Sequence, residues 1–238
     1  MVAAGTVKVY LQLCRVSNLP TVWTNVLAGC LLSGGRIGAG TVLLLSAALS
    51  CFYMAGMALN DICDSEHDLI QRPSRPIPSG TVSLRAAGIF TVALFAAGFG
   101  SLAFAPHLSG AGAALLLLFV IVLYDRHHKP NPLSVLLMAS CRFLVYAVAA
   151  LAVSGRLASA VVVAGGIQFA YIVALSLVAR YENNREAPFP FPVIPVLLAG
   201  ISLLDGIVLA LLVGPLWFLA GMGGFLLTLA GQRYVRGD

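Results

Sequence analysis

Long apolar runs follow one another along this chain, and they decide which folds are open to it. Of its 238 residues, 60% are hydrophobic and only 10% are charged, whereas soluble domains carry about 25% charged residues. A water-soluble fold of this size would have too little polar surface to cover itself. The runs are long and lack the alternation of strands, so we expect helices that cross a membrane.

The predicted fold is therefore all-α: a polytopic membrane bundle of about eight transmembrane helices with a central cavity that opens to the cytoplasmic face. We treat residues 1–238 as a single domain. The eight apolar segments are Leu19–Ser33, Ala39–Leu59, Leu84–Ala105, Gly110–Tyr124, Pro132–Val153, Ala158–Ala179, Phe191–Val213 and Pro215–Gly231.

The basic residues predict how these helices are oriented. Eleven of the fourteen lysines and arginines fall on one side of such a bundle, and the positive-inside rule makes that side cytoplasmic. An even number of spans places both termini there. Eight of the nine acidic residues lie on the same side, so we expect a polar active site at the cytoplasmic mouth. The expected location is a bacterial inner membrane, with lipid as surroundings and no nucleic acid as partner.

The densest group of charges follows the second apolar segment, in the stretch ALNDICDSEHDLIQRPSRPIPSG at residues 58–80. Asn60, Asp64 and Asp68 are four residues apart and share one helix face, with Asp61 directly after the first. Carboxylates stacked along one stripe repel each other unless a cation lies among them. Oxygen ligands of this kind suit Mg²⁺. A solvated loop is the alternative, but the spacing and the two arginines that follow favour a metal site.

Two further charged groups lie on the same predicted side. Glu182 and Glu186 are again four residues apart, after the sixth segment, and the sequence Tyr124–Lys129 follows the fourth. Two acidic stripes that each hold a metal, with cations from a third loop, would cradle a diphosphate. For the two glutamates a solvated loop is an equal alternative. Arg142 lies inside the fifth segment, where a buried cation is expected to be functional or paired.

These motifs resemble those of a known family. NDICDSEHD at residues 60–68 fits the N-D-x-x-D-x-x-x-D signature of the UbiA superfamily of intramembrane prenyltransferases. RPSRPIPSG at 72–80 resembles the stretch that follows it there, and CRVSNLPTVWTNVLAG at 14–29 is similar to the start of the first helix. The loops after the fourth and sixth segments fall where the family has its second basic loop and second acidic motif. MASCRFLVY at 138–146 is also similar to the UbiA-like branch encoded in ebo gene clusters.

The resemblance implies one UbiA-like prenyltransferase domain that uses Mg²⁺ to transfer an isoprenyl group from an isoprenyl diphosphate to a lipophilic or aromatic acceptor. The acids would stabilise the leaving diphosphate. Implied metal ligands are Asn60, Asp61, Asp64, Asp68, Glu182 and Glu186. Implied catalytic residues are Asp61, Asp64, Asp68 and Lys129. Implied substrate-binding residues are Asn18, Asn60, Arg72, Arg75, Tyr124, Arg126, Lys129, Arg142 and Arg185.

Two departures from the family pattern accompany the resemblance. The second motif has glutamate where the family usually has aspartate, and we count eight helices where the family commonly has nine. The alternatives are a non-catalytic UbiA-like protein that binds a polyprenyl lipid, or a transporter of a lipid or a precursor. Transport paths also carry intramembrane charge, but here the acids gather at one face and the hydropathy shows no inverted repeat.

Overall fold

The structure is a computed structural model that describes residues 2–35, 37–127, 133–183, 189 and 191–235. Within these ranges the regular structure is helical, without a strand. Two short 3₁₀ turns, at Val16–Asn18 and Pro215–Trp217, precede the helices that follow them. The helices are α1 (Val2–Leu13), α2 (Leu19–Leu32), α3 (Ala39–Cys63), α4 (Ser65–Gln71), α5 (Leu84–Leu102), α6 (Ser109–His127), α7 (Ser134–Ser154), α8 (Ser159–Asn183), α9 (Val193–Leu212) and α10 (Phe218–Gln232).

Each of the eight predicted apolar segments coincides with one of these helices, so the predicted all-α bundle is confirmed. In the described part of the chain, seven helical stretches are long and apolar enough to cross a membrane. The remaining segment, Leu19–Ser33, corresponds to α2, whose 14 residues fall short of the roughly 20 that a 30 Å hydrocarbon core requires. The α1 helix lies outside the predicted segments.

Local sequence signals explain where several helices begin and end. The Ser83 hydroxyl accepts a hydrogen bond of 3.2 Å from the Ala86 N–H and caps the start of α5. Gly155, at φ 70°, ends α7 in the left-handed conformation that glycine adopts most easily. Gly214 and Pro215 separate α9 from the turn before α10, because proline lacks the N–H that would continue the helix.

The short α2 helix lies at the centre of the bundle. It packs against α3, α7, α8, α9 and α10, and Val26 and Ala28 are completely buried. The outward faces of the surrounding helices are apolar instead: Leu43, Ile89 and Leu211 are 70%, 62% and 80% exposed. A helix that is apolar on its outer as well as its inner face is suited to lipid rather than to water. A central helix can be short because its neighbours span the layer around it.

Small residues let the helices approach closely. A Cβ atom on Gly206 of α9 would come within 2.7 Å of the Gly221 Cα of α10, and a Cβ on Gly29 would come within 2.8 Å of the Tyr146 carbonyl oxygen. Close backbone contact of this kind is the usual basis of helix association in membranes.

The chain reverses direction between successive spanning helices, so α3, α6 and α8 end where α5, α7 and α9 begin. We call this the motif end of the bundle, because the stretch at residues 58–80 lies there. A cavity of about 530 Å³, the inner cavity, extends from this end between α2, α3, α6, α7, α8 and α9. The central cavity is thus present, and the membrane side to which it opens stays a prediction.

Candidate functional site

The predicted acidic stripe is a continuous helical face. The Asp64 N–H donates to the Asn60 carbonyl and the Asp68 N–H to the Asp64 carbonyl, both at 2.9 Å, so helical hydrogen bonding continues across the junction of α3 and α4. We call Asn60, Asp61, Asp64 and Asp68 the acidic ladder. All four are buried, whereas Glu66 between them is exposed. The ladder therefore faces the protein interior.

Two arginines compensate the negative charge of the ladder. The Arg75 guanidinium lies 2.6 Å from the Asp68 carboxylate and 3.3 Å from that of Asp61. Arg15, from the segment between α1 and α2, lies 3.0 Å from the same Asp61 oxygen. Burying carboxylates is costly unless cations pair with them, so these contacts explain how the ladder is tolerated. Sequence reasoning assigned Arg75 to the site but did not assign Arg15.

The backbone at Arg15 is held in an uncommon conformation. With φ 45° and ψ 50°, it is the one non-glycine residue with positive φ among the residues described. Such a conformation costs about 1–3 kcal/mol and persists where surrounding contacts enforce it. Here the turn aims the guanidinium at Asp61.

The neighbouring thiol of Cys14 has no part in the charge balance. Burial raises the pKa of Cys14 to about 12, and the negative charge of Asp61 acts in the same direction. The thiol therefore stays protonated, and Cys14 packs as a small apolar residue.

A further acid joins the ladder from α6. The Asn60 amide donates a hydrogen bond of 3.2 Å to Asp125, which is 5% exposed. The sequence analysis placed Asp125 near the site without assigning it. The available signal was its position in the charged sequence Tyr124–Lys129, next to the predicted substrate-binding residue Tyr124, which lines the inner cavity. Arg126, also predicted to bind substrate, is instead exposed in the last turn of α6.

A second cavity adjoins the ladder on the outer side. This outer cavity, of about 650 Å³, is lined by Asp61 together with Arg72, Arg75 and Arg233, and Arg15 lines both cavities. The two predicted arginines after the motif therefore lie beside the ladder. Arg233, in the C-terminal segment, was not predicted.

The end of α8 contributes to the same region. Arg180 lines the inner cavity and donates a hydrogen bond of 2.8 Å to the Ser134 hydroxyl. Glu182 accepts a hydrogen bond of 3.1 Å from the Phe189 N–H. Three predicted site residues lie outside the described residues: Lys129, Arg185 and Glu186.

Predicted residues also line the inner cavity more deeply. The Asn18 amide donates a hydrogen bond of 3.2 Å to the Tyr53 hydroxyl. The Arg142 guanidinium lies 5.6 Å from the centre of the Tyr53 ring and donates to the Asn25 side chain at 3.0 Å. Asn18 and Arg142 thus belong to the same cavity wall.

The donor chemistry of the site suits Mg²⁺. Within the described ranges, no three His, Cys, Asp or Glu side chains are grouped as a ready metal site, and two ladder carboxylates are paired with arginines. Buried carboxylate oxygens on one helix face are nevertheless the ligands that Mg²⁺ accepts, together with phosphate oxygens. The residues fit such an ion, and the ligand set stays a prediction.

The two cavities together define what the site can accept. The charged region at the motif end suits an anionic head group, and the apolar wall of the inner cavity, with Leu49, Phe52 and Leu117, suits a hydrocarbon chain. The site is therefore built for an amphipathic anion.

Comparison with known proteins relates this chain to enzymes and structures of one family. The chain is 39% identical over 127 residues to a digeranylgeranylglyceryl phosphate synthase from Methanopyrus kandleri, and the match covers 53% of this chain and 46% of that protein. A solved structure from a study of digeranylgeranylglyceryl phosphate synthase in membranes has a TM-score of 0.66 at 23% identity, covering 96% of this chain and 87% of that one. A UbiA homologue from Archaeoglobus fulgidus bound to GPP and Mg²⁺ has a TM-score of 0.63 at 16% identity, covering 95% of this chain and 97% of that one.

These similarities support different conclusions. At identities below one quarter, the solved structures establish the fold. The sequence match spans about half the length of the relative from Methanopyrus kandleri. The family sequence profile, in contrast, matches residues 21–233, which is most of the chain. The protein is an integral membrane protein and belongs to the UbiA prenyltransferase family.

Proposed function

We propose that this chain is a Mg²⁺-dependent prenyltransferase, formed by one domain over residues 1–238, that transfers an isoprenyl group from an isoprenyl diphosphate to an acceptor in the membrane. The observation that carries the proposal is the buried acidic ladder beside the inner cavity, whose polar end is lined by the ladder's partners Arg15 and Asp125. A ladder of carboxylates does not contribute to the binding of a neutral lipid, but together with a divalent cation it binds a diphosphate.

The donor substrate would lie across the charged region and the inner cavity. Bound Mg²⁺ supplies compensation for the negative charge that develops on the leaving diphosphate. The acidic ladder would hold Mg²⁺ on one side of the diphosphate, and Glu182 with Glu186 would hold Mg²⁺ on the other. Arg15 and Arg75 neutralise part of the negative charge of the ladder. The remaining predicted contacts to the diphosphate are Arg72, Tyr124, Arg126, Lys129 and Arg185.

The reaction breaks the allylic C–O bond of the donor and the bond between the acceptor and its departing proton, and it forms one new bond to carbon. The allylic C–O bond of the donor breaks and the diphosphate leaves with the electron pair. An electron pair of the acceptor then forms the new bond to carbon, and the acceptor proton passes to water. Within this scheme the ladder stabilises charge and does not act as a general base.

The similarity to a named relative bears on the class of acceptor. The relative from Methanopyrus kandleri is named a digeranylgeranylglyceryl phosphate synthase, which favours an acceptor of the glyceryl phosphate type over the aromatic one expected from the sequence. That relative is archaeal, whereas the sequence analysis expects a bacterial inner membrane. We keep the cytoplasmic orientation of the motif end as part of the proposal.

Reconstitution in lipid vesicles tests the activity. The full chain receives radiolabelled GPP or longer isoprenyl diphosphates, with glyceryl phosphate lipids and aromatic acids as acceptors, in the presence and absence of Mg²⁺. We expect a prenylated product only with Mg²⁺. Asp64→Asn should lower turnover about 100- to 1000-fold, because one preorganised electrostatic contact is often worth that much.

Glu66→Gln is the matched control, because Glu66 lies in the same motif but is exposed. It should retain wild-type turnover. Mg²⁺-dependent diphosphate binding without any product would favour the non-catalytic lipid binder. Absence of diphosphate binding, together with movement of a lipid across the vesicle membrane, would favour the transporter.

A further inference from the structure

A layer of polar side chains crosses the bundle between the apolar helices. The Arg142 guanidinium donates to the Asn25 carbonyl oxygen at 3.0 Å, and the Asn25 amide donates to Asp205 at 2.7 Å. The Tyr146 hydroxyl donates to the other oxygen of Asp205. With Tyr53, whose ring lies beside the guanidinium, these side chains form what we call the Arg142 layer.

Charge within this layer is separated rather than paired. Asn25 and Asp205 are 0% and 1% exposed, and Asn25 lies between Asp205 and the guanidinium. Among the described residues no ion pair joins Arg142 to a carboxylate. Arg142 has five N–H donors and makes one hydrogen bond to a described side chain, while it lines the inner cavity. A cation with unused donors is thus presented to the cavity.

A neighbouring amide adds to this surplus of hydrogen-bonding groups. Gln168 is 1% exposed, and neither atom of its amide has a hydrogen-bond partner among the described residues. One turn before it on α8, Ala164 packs in the same apolar cluster as Tyr146, and one turn after it Ile172 lines the inner cavity. Gln168 therefore lies at the level of the layer, which offers more polar groups than the fold itself uses.

The position of Arg142 relates the layer to the site at the motif end. Ser134 and Arg142 are eight residues apart on α7, or roughly 12 Å along the helix. Long side chains on a helix lean toward its N-terminus, which for α7 is the motif end. The guanidinium therefore faces the part of the inner cavity that extends to the motif end, so a molecule bound to it by an anionic group can reach toward the acidic ladder.

We propose that Arg142, with Tyr53 beside it, binds the carboxylate or phosphate of the acceptor substrate, apart from the diphosphate of the donor. This inference rests on the proposed function and narrows the acceptor to an anionic molecule. The membrane depth of the layer strengthens a charge-assisted hydrogen bond. Because Asn25 separates Asp205 from the guanidinium, an anionic acceptor would give Arg142 a direct counter-ion that a neutral acceptor cannot supply.

The competing explanation is structural: Arg142 and Asp205 would simply balance each other through Asn25. Removing one charge then leaves the other uncompensated and destabilises the fold. The double variant Arg142→Gln/Asp205→Asn removes both charges together. It thereby separates loss of a binding group from loss of charge balance.

Binding is measured by thermal stabilisation and equilibrium titration of the purified full chain. The probes are two matched pairs: 4-hydroxybenzoate with 4-hydroxybenzamide, and geranylgeranylglyceryl phosphate with geranylgeranylglycerol. The pairs distinguish a carboxylate from a phosphate. Each is titrated into the wild type, Arg142→Gln, the double variant, and the control Arg156→Gln, which removes an exposed cation at the far end of α7. GPP with Mg²⁺ is titrated into the same proteins.

We expect one anionic probe to bind the wild type and Arg156→Gln at least about tenfold more tightly than its neutral partner. Arg142→Gln and the double variant should bind that probe roughly 10- to 100-fold more weakly. GPP affinity should stay within about twofold. Equal binding of both members of each pair by the wild type would overturn the inference, as would an unchanged anion preference in the double variant. If the wild type does not bind GPP in the presence of Mg²⁺, the proposed function is refuted instead.

Discussion

Replacing Asp68 by asparagine removes the closest ion pair of the site. The Asp68 and Arg75 atoms lie 2.6 Å apart, and their side chains are 5% and 15% exposed. Breaking a fully buried pair costs about 3–5 kcal/mol, whereas exposed pairs are worth about 0–1 kcal/mol. Because Arg75 keeps its contact of 3.3 Å with Asp61 and asparagine still offers a neutral acceptor, the loss should lie between these limits. We expect about 1.5 kcal/mol.

Thermal unfolding of the purified protein in detergent, without Mg²⁺, measures this loss. For a chain of this length, 1.5 kcal/mol corresponds to a decrease of about 3–6 °C in Tm. Arg75→Gln and the double variant complete a cycle that isolates the coupling between the two side chains. Glu66→Gln, on the exposed face of the same helix, should change stability by less than about 0.5 kcal/mol.

Turnover is measured on the same variants with Mg²⁺ and substrate. Asp68→Asn should lower it about 100- to 1000-fold, far more than the fraction of unfolded protein explains. An unchanged Tm with zero coupling would refute the stabilising role of the ion pair. A lower Tm with unchanged specific activity would show that the acidic ladder is structural, and our account of the site would be wrong.

Three further predictions concern orientation, the second acidic motif and helix packing. Reporter fusions at Asp238 and near His107 should report opposite sides of the membrane, with Asp238 cytoplasmic; a shared side would contradict the eight-span arrangement. Glu186→Gln should weaken Mg²⁺-dependent diphosphate binding without lowering Tm, and unchanged binding would return that loop to a solvated role. Gly206→Ala should destabilise the protein by about 1–3 kcal/mol, because its Cβ would lie 2.7 Å from the facing backbone. Gly223→Ala, with open space around it, should be neutral or stabilising by up to about 1 kcal/mol; equal Tm changes would contradict the packing argument.

The predicted site residues divide according to how local their arrangement is. Asn60, Asp64 and Asp68 follow each other at the helical period, so their common face could be predicted from spacing alone. Asp125 could not be joined to them in this way, because its partner Asn60 is 65 residues distant along the chain. The contact of Arg15 with the ladder could not be predicted for the same reason: Arg15 meets Asp61 across 46 residues, through a backbone turn that no sequence signal marks.

The sequence by itself determined the membrane-spanning character of this protein, the number of apolar segments and the acidic face, since these depend on composition and on a period of 3.6 residues. The tertiary structure alone decided that the short α2 helix lies at the centre, and that Arg142 reaches Asp205 through Asn25, across separations of 117 and 180 residues. The physical reason is rotation. Each residue turns a helix by about 100°, so which polar side chains meet between helices depends on how all of them pack around the small residues at their contacts.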